Sequence, residues 1–385
     1  MMREMGKIRA TVLSAIPYGL TIFVFMMFAM PTSKLANMGF YIFVALPVLF
    51  SIPILIKDNK FKSDLLIFAS LLSFWVFLSM LGDDISDTSK LGKEIRHACY
   101  VVVFAVAVYY SLSTKNVSVK QFMFYVLCLS VVYSLVAMFY QYGWNELPLV
   151  RRLFPPLRLG SPIFVSLLLA CFGVAMMNVY FLENQYIRTI SLFLLLLFLL
   201  YFYNSRAGIV ALCGGVVVMV VMSHAKFSWR AVVGLLIIII TYLLGLYFYG
   251  NLLERGGSYR IDIWLSSLDK IVECGVFFGC GFAESGELVI ESGEVFLHPH
   301  NIYLMHLLNF GIFGLMSLMT LLFWLVIRGF KCRSVMVFGL VASLIGLMFD
   351  GKDLLTNPNE IWLLFWLPVV LVYWEINQNN KNNIK

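Results

Sequence analysis

The sequence is poor in charge. Charged residues make up 13% of its 385 residues and hydrophobic residues 61%, whereas a soluble domain carries roughly 25% charge. This shortage excludes an ordinary soluble protein. Apolar runs of about 20 residues recur along the chain, which is long enough to cross a hydrocarbon core of about 30 Å. Because the runs are continuous rather than alternating, they predict helices and not barrel strands. We therefore predict an all-α polytopic membrane protein.

Several common signals are also missing. None of the seven cysteines lies in a Cys-x-x-Cys pair, so we expect no zinc or redox motif. Cys274 and Cys280 share the one long polar segment, and whether they pair stays open. The first apolar run has no clear small-residue cleavage site, so we expect a retained first helix. The net charge of +7 follows membrane topology, as shown below, and does not indicate nucleic-acid binding.

Twelve transmembrane spans are predicted. They are 12–31, 36–56, 65–81, 98–113, 121–141, 162–182, 189–204, 207–222, 231–250, 301–327, 334–350 and 360–377. The least secure division is at Asn204–Arg206, which interrupts one long apolar run. The chain then divides into spans one to nine (1–250), a large loop with an amphipathic surface helix (251–300), and spans ten to twelve with a cytoplasmic tail (301–385).

The charge distribution predicts the orientation of these spans. With the N-terminus in the cytoplasm, the inside segments hold 16 basic and 5 acidic residues, and the outside segments hold 12 basic and 16 acidic residues. Because cytoplasmic loops are enriched in Lys and Arg, both termini are expected inside. Residues 251–300, which precede the tenth span, then face the periplasm. We expect a multi-pass protein of the bacterial inner membrane.

Arginines in three outside segments oppose this trend and need another explanation. They are Arg151, Arg152, Arg158, Arg206, Arg255 and Arg260. Salt bridges to neighbouring acidic residues are one explanation. Anion binding is the other, since a guanidinium group contacts phosphate oxygens bidentately and stays charged. We favour anion binding for Arg206 and Arg260, and treat Arg152 and Arg158 as further candidates.

The large loop ends in His298-Pro-His300-Asn301, directly before a span. Two histidines two residues apart in a coil are a poor ligand pair, and no third ligand at helical spacing is evident. We therefore expect no metal. His300, at the start of the tenth span, is a candidate general base. The alternative is that the His–Asn pair only caps the helix.

Three motifs together resemble one known family. His300-Asn301, nine residues and then Gly311-Ile-Phe-Gly314 resemble the hallmark of the O-antigen ligase superfamily. Asn204-Ser-Arg206 looks like the arginine motif of that family, with Val210 in place of its usual leucine. Arg260-Ile-Asp-Ile-Trp264, followed by Gly279-Cys-Gly281, is similar to the family's loop.

This resemblance implies a function. The family transfers a glycan from undecaprenyl diphosphate, at the periplasmic face, and in ligases the acceptor is the lipid A core. The residues fit this glycosyltransferase chemistry on physical grounds. Arg206 and Arg260 can stabilise the diphosphate without a metal or other cofactor, and His300 can activate the acceptor hydroxyl as a base. Direct attack then inverts the anomeric carbon, and Asn301 and His298 are further substrate-binding candidates. An O-antigen polymerase using the same donor is the alternative. A transporter is disfavoured, because no inverted repeat is apparent.

Overall fold

The computed structural model describes residues 2–55, 59–82, 88–114, 117–222, 259–281 and 287–382. These residues are almost entirely helical, with one short β-hairpin. The helices are α1 (Met2–Ala29), α2 (Ser33–Leu55), α3 (Asn59–Gly82), α4 (Thr88–Ser113), α5 (Val119–Trp144), α6 (Pro162–Leu182), α7 (Tyr186–Tyr203), α8 (Arg206–Met222), α9 (Arg260–Cys274), α10 (Ile302–Lys331), α11 (Val337–Leu347) and α12 (Leu367–Asn382, after a π-helical segment Trp362–Trp366). The hairpin pairs β1 (Leu288–Val289) with β2 (Val295–Phe296).

These helices confirm a polytopic membrane protein. Within the described ranges, seven helices are long and apolar enough to cross a bilayer, and three further apolar helices are shorter. The short ones are Leu13–Ala29, Arg206–Met222 and Val337–Leu347. The predicted ninth span, 231–250, lies outside the described residues. The predicted total of twelve spans therefore stays a prediction, as does the side on which each loop lies.

The predicted break between α7 and α8 is confirmed. Asn204 caps α7 in the left-handed conformation, with φ of 44°, and asparagine adopts that conformation at a lower cost than most residues. Ser205 then caps α8, because its Oγ accepts a hydrogen bond from the Gly208 N–H at 3.2 Å and satisfies an amide in the first turn. The turn places Arg206 at the first position of α8.

Helix α6 is the central column of the bundle. Nearly every one of its side chains is buried, and it packs against α5, α7, α8 and α11. A helix that is apolar all round and enclosed by other helices needs no polar face. Small residues allow close approach to this column: a Cβ at Gly339 of α11 would lie 2.5 Å from the Cys171 carbonyl oxygen of α6.

Helix α9 has the amphipathic character that its sequence predicts. One face is buried against α10 and β1 and includes Ile263, Ser267 and Ile271. A second face carries the exposed side chains Ile261, Leu265, Leu268 and Val272. Cys274, at the end of the helix, is disulfide-bonded to Cys280, which answers the question that the sequence left open. That α9 lies on a membrane surface stays a prediction.

Candidate active site

The centre of the site is a histidine–carboxylate pair. His300 Nδ1 lies 3.0 Å from Asp350 Oδ1. Asp350 is buried, whereas the His300 side chain keeps 34% of its surface exposed. His300 precedes α10, and Asp350 follows α11. A buried carboxylate therefore contacts and orients a histidine whose ring is partly exposed.

The start of α10 fixes the backbone at His300. Asn301 caps the helix, since its Oδ1 accepts hydrogen bonds from the N–H groups of Tyr303 at 3.0 Å and Leu304 at 3.2 Å. His300 itself has φ of 51°, an uncommon conformation for a residue with a side chain. Of the His–Asn pair, only Asn301 therefore caps the helix. The His300 side chain contacts Asp350 instead.

Asp350 reaches His300 because the segment between α11 and α12 approaches α10 closely. A Cβ at Gly351 would lie 2.8 Å from Cβ and 2.9 Å from N of Ile302, so the glycine permits this approach. A second contact lies deeper, where Asn309 Nδ2 donates a hydrogen bond to Asp353 Oδ1 at 2.7 Å. These contacts fix the segment that carries Asp350 against the first turns of α10.

Helix α9 brings Arg260 to the pair. Trp264 Nε1 donates a hydrogen bond to the Pro299 carbonyl at 3.0 Å, which attaches the start of α9 beside His300. Burial lowers the pKa of Arg260, the Asp350 carboxylate opposes that shift, and Arg206 adds to it. Arg260 therefore lies close enough to Asp350 and Arg206 for both charges to affect its pKa. The structure brings together three predicted residues, His300, Arg260 and Arg206, from three separate parts of the chain.

His298 lies against the same pair. Its ring centroid is 4.2 Å from that of His300. Burial lowers the pKa of His298 to about 4, His300 and Lys352 lower it further, and Asp350 opposes them. At neutral pH His298 is therefore an uncharged hydrogen-bonding group.

The remaining predicted arginines have structural partners. Arg152 Nε donates to the Tyr203 carbonyl at 2.9 Å, so it lies at the turn that presents Arg206. Arg158 donates hydrogen bonds to the Pro358 carbonyl and, at 3.3 Å, to Ser33 Oγ. Arg158 thus joins the segment before α6 to the start of α2 and to the loop that carries Pro358, and these contacts give it a structural role.

Asp350 is the residue of this cluster that sequence reasoning missed. It lies in Phe-Asp-Gly-Lys-Asp (349–353), a charged run between two apolar spans, and that run was the available signal. Among the described residues, His298, His300 and Asp350 bring their ligand atoms within 4.8 Å of one another. Asp350 therefore supplies the third potential metal ligand, which the sequence spacing did not reveal. Two histidines and a carboxylate form a set of ligands that zinc can bind.

Comparison with known proteins covers most of the chain segments that form this site. Residues 191–319 match the O-antigen ligase family model. Arg206, Arg260, His298 and His300 all lie inside that range. An O-antigen ligase of Pseudomonas aeruginosa strain PAO1 is 28% identical over 257 residues, which cover 64% of this chain and 62% of that relative. The chain thus spans less than two thirds of the relative's length. The resemblance to the O-antigen ligase family that the motifs predicted is confirmed.

Proposed function

We propose that the protein is a glycosyltransferase that moves an O-antigen glycan from undecaprenyl diphosphate to the lipid A core, at the periplasmic face of the inner membrane. One observation carries this proposal: Asp350, from the segment after α11, pairs with His300 beside Arg260 and Arg206, and these last three residues lie in the region that matches O-antigen ligases. A base and a pair of fixed cations are the groups that glycan transfer from a lipid diphosphate requires.

The base acts on the acceptor. When His300 donates its Nδ1 proton to Asp350, Nε2 carries the lone pair that accepts a proton from a sugar hydroxyl. The hydroxyl oxygen forms the new bond to the anomeric carbon. The carbon–oxygen bond to the diphosphate breaks, and the diphosphate leaves with the electron pair. Asp350 stabilises the imidazolium that forms, as the carboxylate does in a serine hydrolase triad. A single displacement of this kind inverts the anomeric carbon.

The arginines act on the donor. Negative charge grows on the diphosphate as the bond to the sugar breaks, and fixed cations that face it lower the barrier. Arg260 is partly buried, so its interaction with an anion is less screened than in water. Arg206 supplies the second guanidinium group. We place His298 and Asn301 beside the sugars and Arg152 behind Arg206.

These cations also favour a reaction without a metal. Arg206 lies close enough to Arg260 to lower its pKa, and Lys352 lies close enough to His298 to lower the pKa of that histidine. A divalent cation held by His298, His300 and Asp350 would be repelled by them.

The disulfide supports a periplasmic site. Disulfides persist in oxidising compartments such as the bacterial periplasm, and Cys274–Cys280 closes the turn after α9. The exposed Glu291 lies in the same loop. Cysteine placed at Glu291 should react with a membrane-impermeant maleimide in intact spheroplasts. Reaction only after lysis would contradict this orientation.

Transfer in vitro tests the proposal. Purified protein in lipid nanodiscs is given lipid-linked O-antigen and rough lipopolysaccharide in EDTA, and the product is resolved by gel electrophoresis. We expect glycan on the lipopolysaccharide. Elongation of the lipid-linked glycan instead would identify a polymerase, and no product with either acceptor would overturn the proposal. Activity lost in EDTA and restored by a divalent ion would establish the metal alternative.

A further inference from the structure

Three backbone segments cross at three glycines, which we name the glycine joint: Gly82 at the end of α3, Gly279 in the turn after α9, and Gly311 within α10. A Cβ at Gly82 would lie 2.5 Å from the Gly279 carbonyl oxygen. A Cβ at Gly279 would lie 2.5 Å from the Leu308 carbonyl oxygen, and a Cβ at Gly311 would lie 2.2 Å from the Phe277 carbonyl oxygen. Because each contact is with backbone, no side chain can move aside to make room.

Helix α10 is kinked at this joint, and the turn after α9 forms hydrogen bonds with the backbone groups at the kink. Gly311 has φ of 62° and ψ of −166° inside the helix. The Ile312 N–H donates to the Val276 carbonyl at 2.9 Å, and the Leu308 carbonyl accepts from the Cys280 N–H at 2.7 Å. The turn 275–281 therefore supplies hydrogen-bond partners that the kink takes from the helix, as buried backbone groups require.

The turn is also fastened by its side chains. The Cys274–Cys280 disulfide closes it, and Cys280 is fully buried. Cys280 packs in one cluster with Ile271 of α9 and with Met305 and Leu308 of α10. The end of α9 is thus bound covalently and by packing to the middle of α10.

The two ends of α9 are attached to α10 at different heights. Its start is held where Trp264 donates to the Pro299 carbonyl, and its end is held at the glycine joint. Arg260 lies at the start of α9, and His300 lies just before α10. A displacement at the joint would slide or tilt α9 along α10 and move Arg260 relative to His300.

We propose that the glycine joint is a positioning element for the transfer reaction, because it sets where Arg260 stands relative to His300. The joint touches no substrate and acts through Arg260. The activity test of this proposal rests on the proposed function. The structural test, which measures a distance between α9 and α10, does not.

Gly279→Ala is the test, and Gly293→Ala is the matched control. Both glycines have positive φ, of 74° and 80°, so an added methyl group strains both backbones alike. A Cβ at Gly293 meets nothing within 4 Å, and only Gly279→Ala crowds the joint. A displacement of about 1 Å in a catalytic site can cost about 10²-fold in rate, so we expect Gly279→Ala to lose about 10- to 100-fold relative to Gly293→Ala.

Gly82→Ala separates crowding from backbone strain. Gly82 ends α3 without a positive φ, yet its Cβ would meet the same turn. We expect a loss of similar size in any variant that folds. Should both alanine variants fail to fold, the Cys274→Ser, Cys280→Ser double variant loosens the turn without crowding it, and we expect the same loss there. Variants of the joint that fold and transfer as fast as Gly293→Ala would overturn the proposal.

Coupling to Arg260 distinguishes positioning from general damage. If the joint acts through Arg260, adding Gly279→Ala to Arg260→Lys should change the rate by no more than about twofold, since the two changes remove the same interaction. Losses that multiply would overturn the proposal. Independently of activity, spin labels at Asp269 and Met316, with the free cysteines replaced by alanine, should show a shifted or broadened distance in Gly279→Ala and not in Gly293→Ala. An unchanged distance in Gly279→Ala would likewise overturn it.

Discussion

Replacing Asp350 by asparagine should slow glycan transfer while leaving the fold intact. The amide has nearly the shape of the carboxylate, so the buried site keeps its packing. The change removes the negative charge that lies 3.0 Å from His300 Nδ1. Asp350→Asn therefore tests the electrostatic part of the proposed mechanism alone.

The expected magnitude follows from the hydrogen bond that is lost. A hydrogen bond to a charged group contributes about 1.5–3 kcal/mol, and this bond is fully charged only when His300 carries the proton of the acceptor. We therefore expect kcat to fall about 10- to 150-fold. The loss should remain below that of His300→Ala, because a neutral imidazole still accepts a proton without the carboxylate.

Asp353→Asn is the matched control. Asp353 is three residues away, and its carboxylate accepts from Asn309 rather than from His300. We expect it to transfer within a few-fold of the unmodified protein, at equal thermal midpoint. Both variants are compared in nanodiscs at saturating donor. Asp350→Asn with unchanged kcat, or with a larger loss than His300→Ala, would refute the orienting role of the carboxylate.

Three further changes have definite expected outcomes. Gly351→Ala should lower the rate about tenfold or more and the thermal midpoint as well, because the methyl group meets Ile302 at 2.8 Å and overpacking costs about 1–3 kcal/mol; normal values for both would contradict the close approach. Arg158→Ala should lower the thermal midpoint and leave the rate per folded molecule unchanged. A lower rate at an unchanged thermal midpoint would instead support binding of the substrate by Arg158. His298→Asn should show the same pH dependence of transfer as the unmodified protein between about pH 5 and pH 8, since the pKa of His298, about 4, keeps this residue neutral over that range. A changed pH profile would make His298 the base.

The sequence predicted the class of protein and some candidate site residues from two physical signals. Long apolar runs predicted the spans, and α2, α6 and α10 lie where those runs do. Arginines on the outer side opposed the charge asymmetry, and this opposition made Arg206 and Arg260 candidates. Both signals are local or depend on a simple rule of orientation. They can therefore be detected without knowledge of the fold.

The rest of the site depends on tertiary contacts. Asp350 becomes important only because Gly351 lets one loop pack against α10, and nothing in its immediate sequence shows that contact. Arg158 opposes the charge trend as Arg206 does, yet its partner, the Pro358 carbonyl, lies 200 residues further along the chain. A structural and a substrate-binding arginine therefore have the same appearance in the sequence.

The most direct test of the account is the transfer rate of His300→Ala beside that of His298→Ala. Both variants remove a histidine ring, and the two rings lie 4.2 Å apart, so they differ mainly in which ring is paired with Asp350. Purified proteins at equal amounts are given lipid-linked O-antigen and rough lipopolysaccharide in EDTA. A positioned base contributes about 10²–10⁴-fold, so His300→Ala should lose that much and His298→Ala far less. A His300→Ala protein that transfers glycan at the unmodified rate would contradict the account.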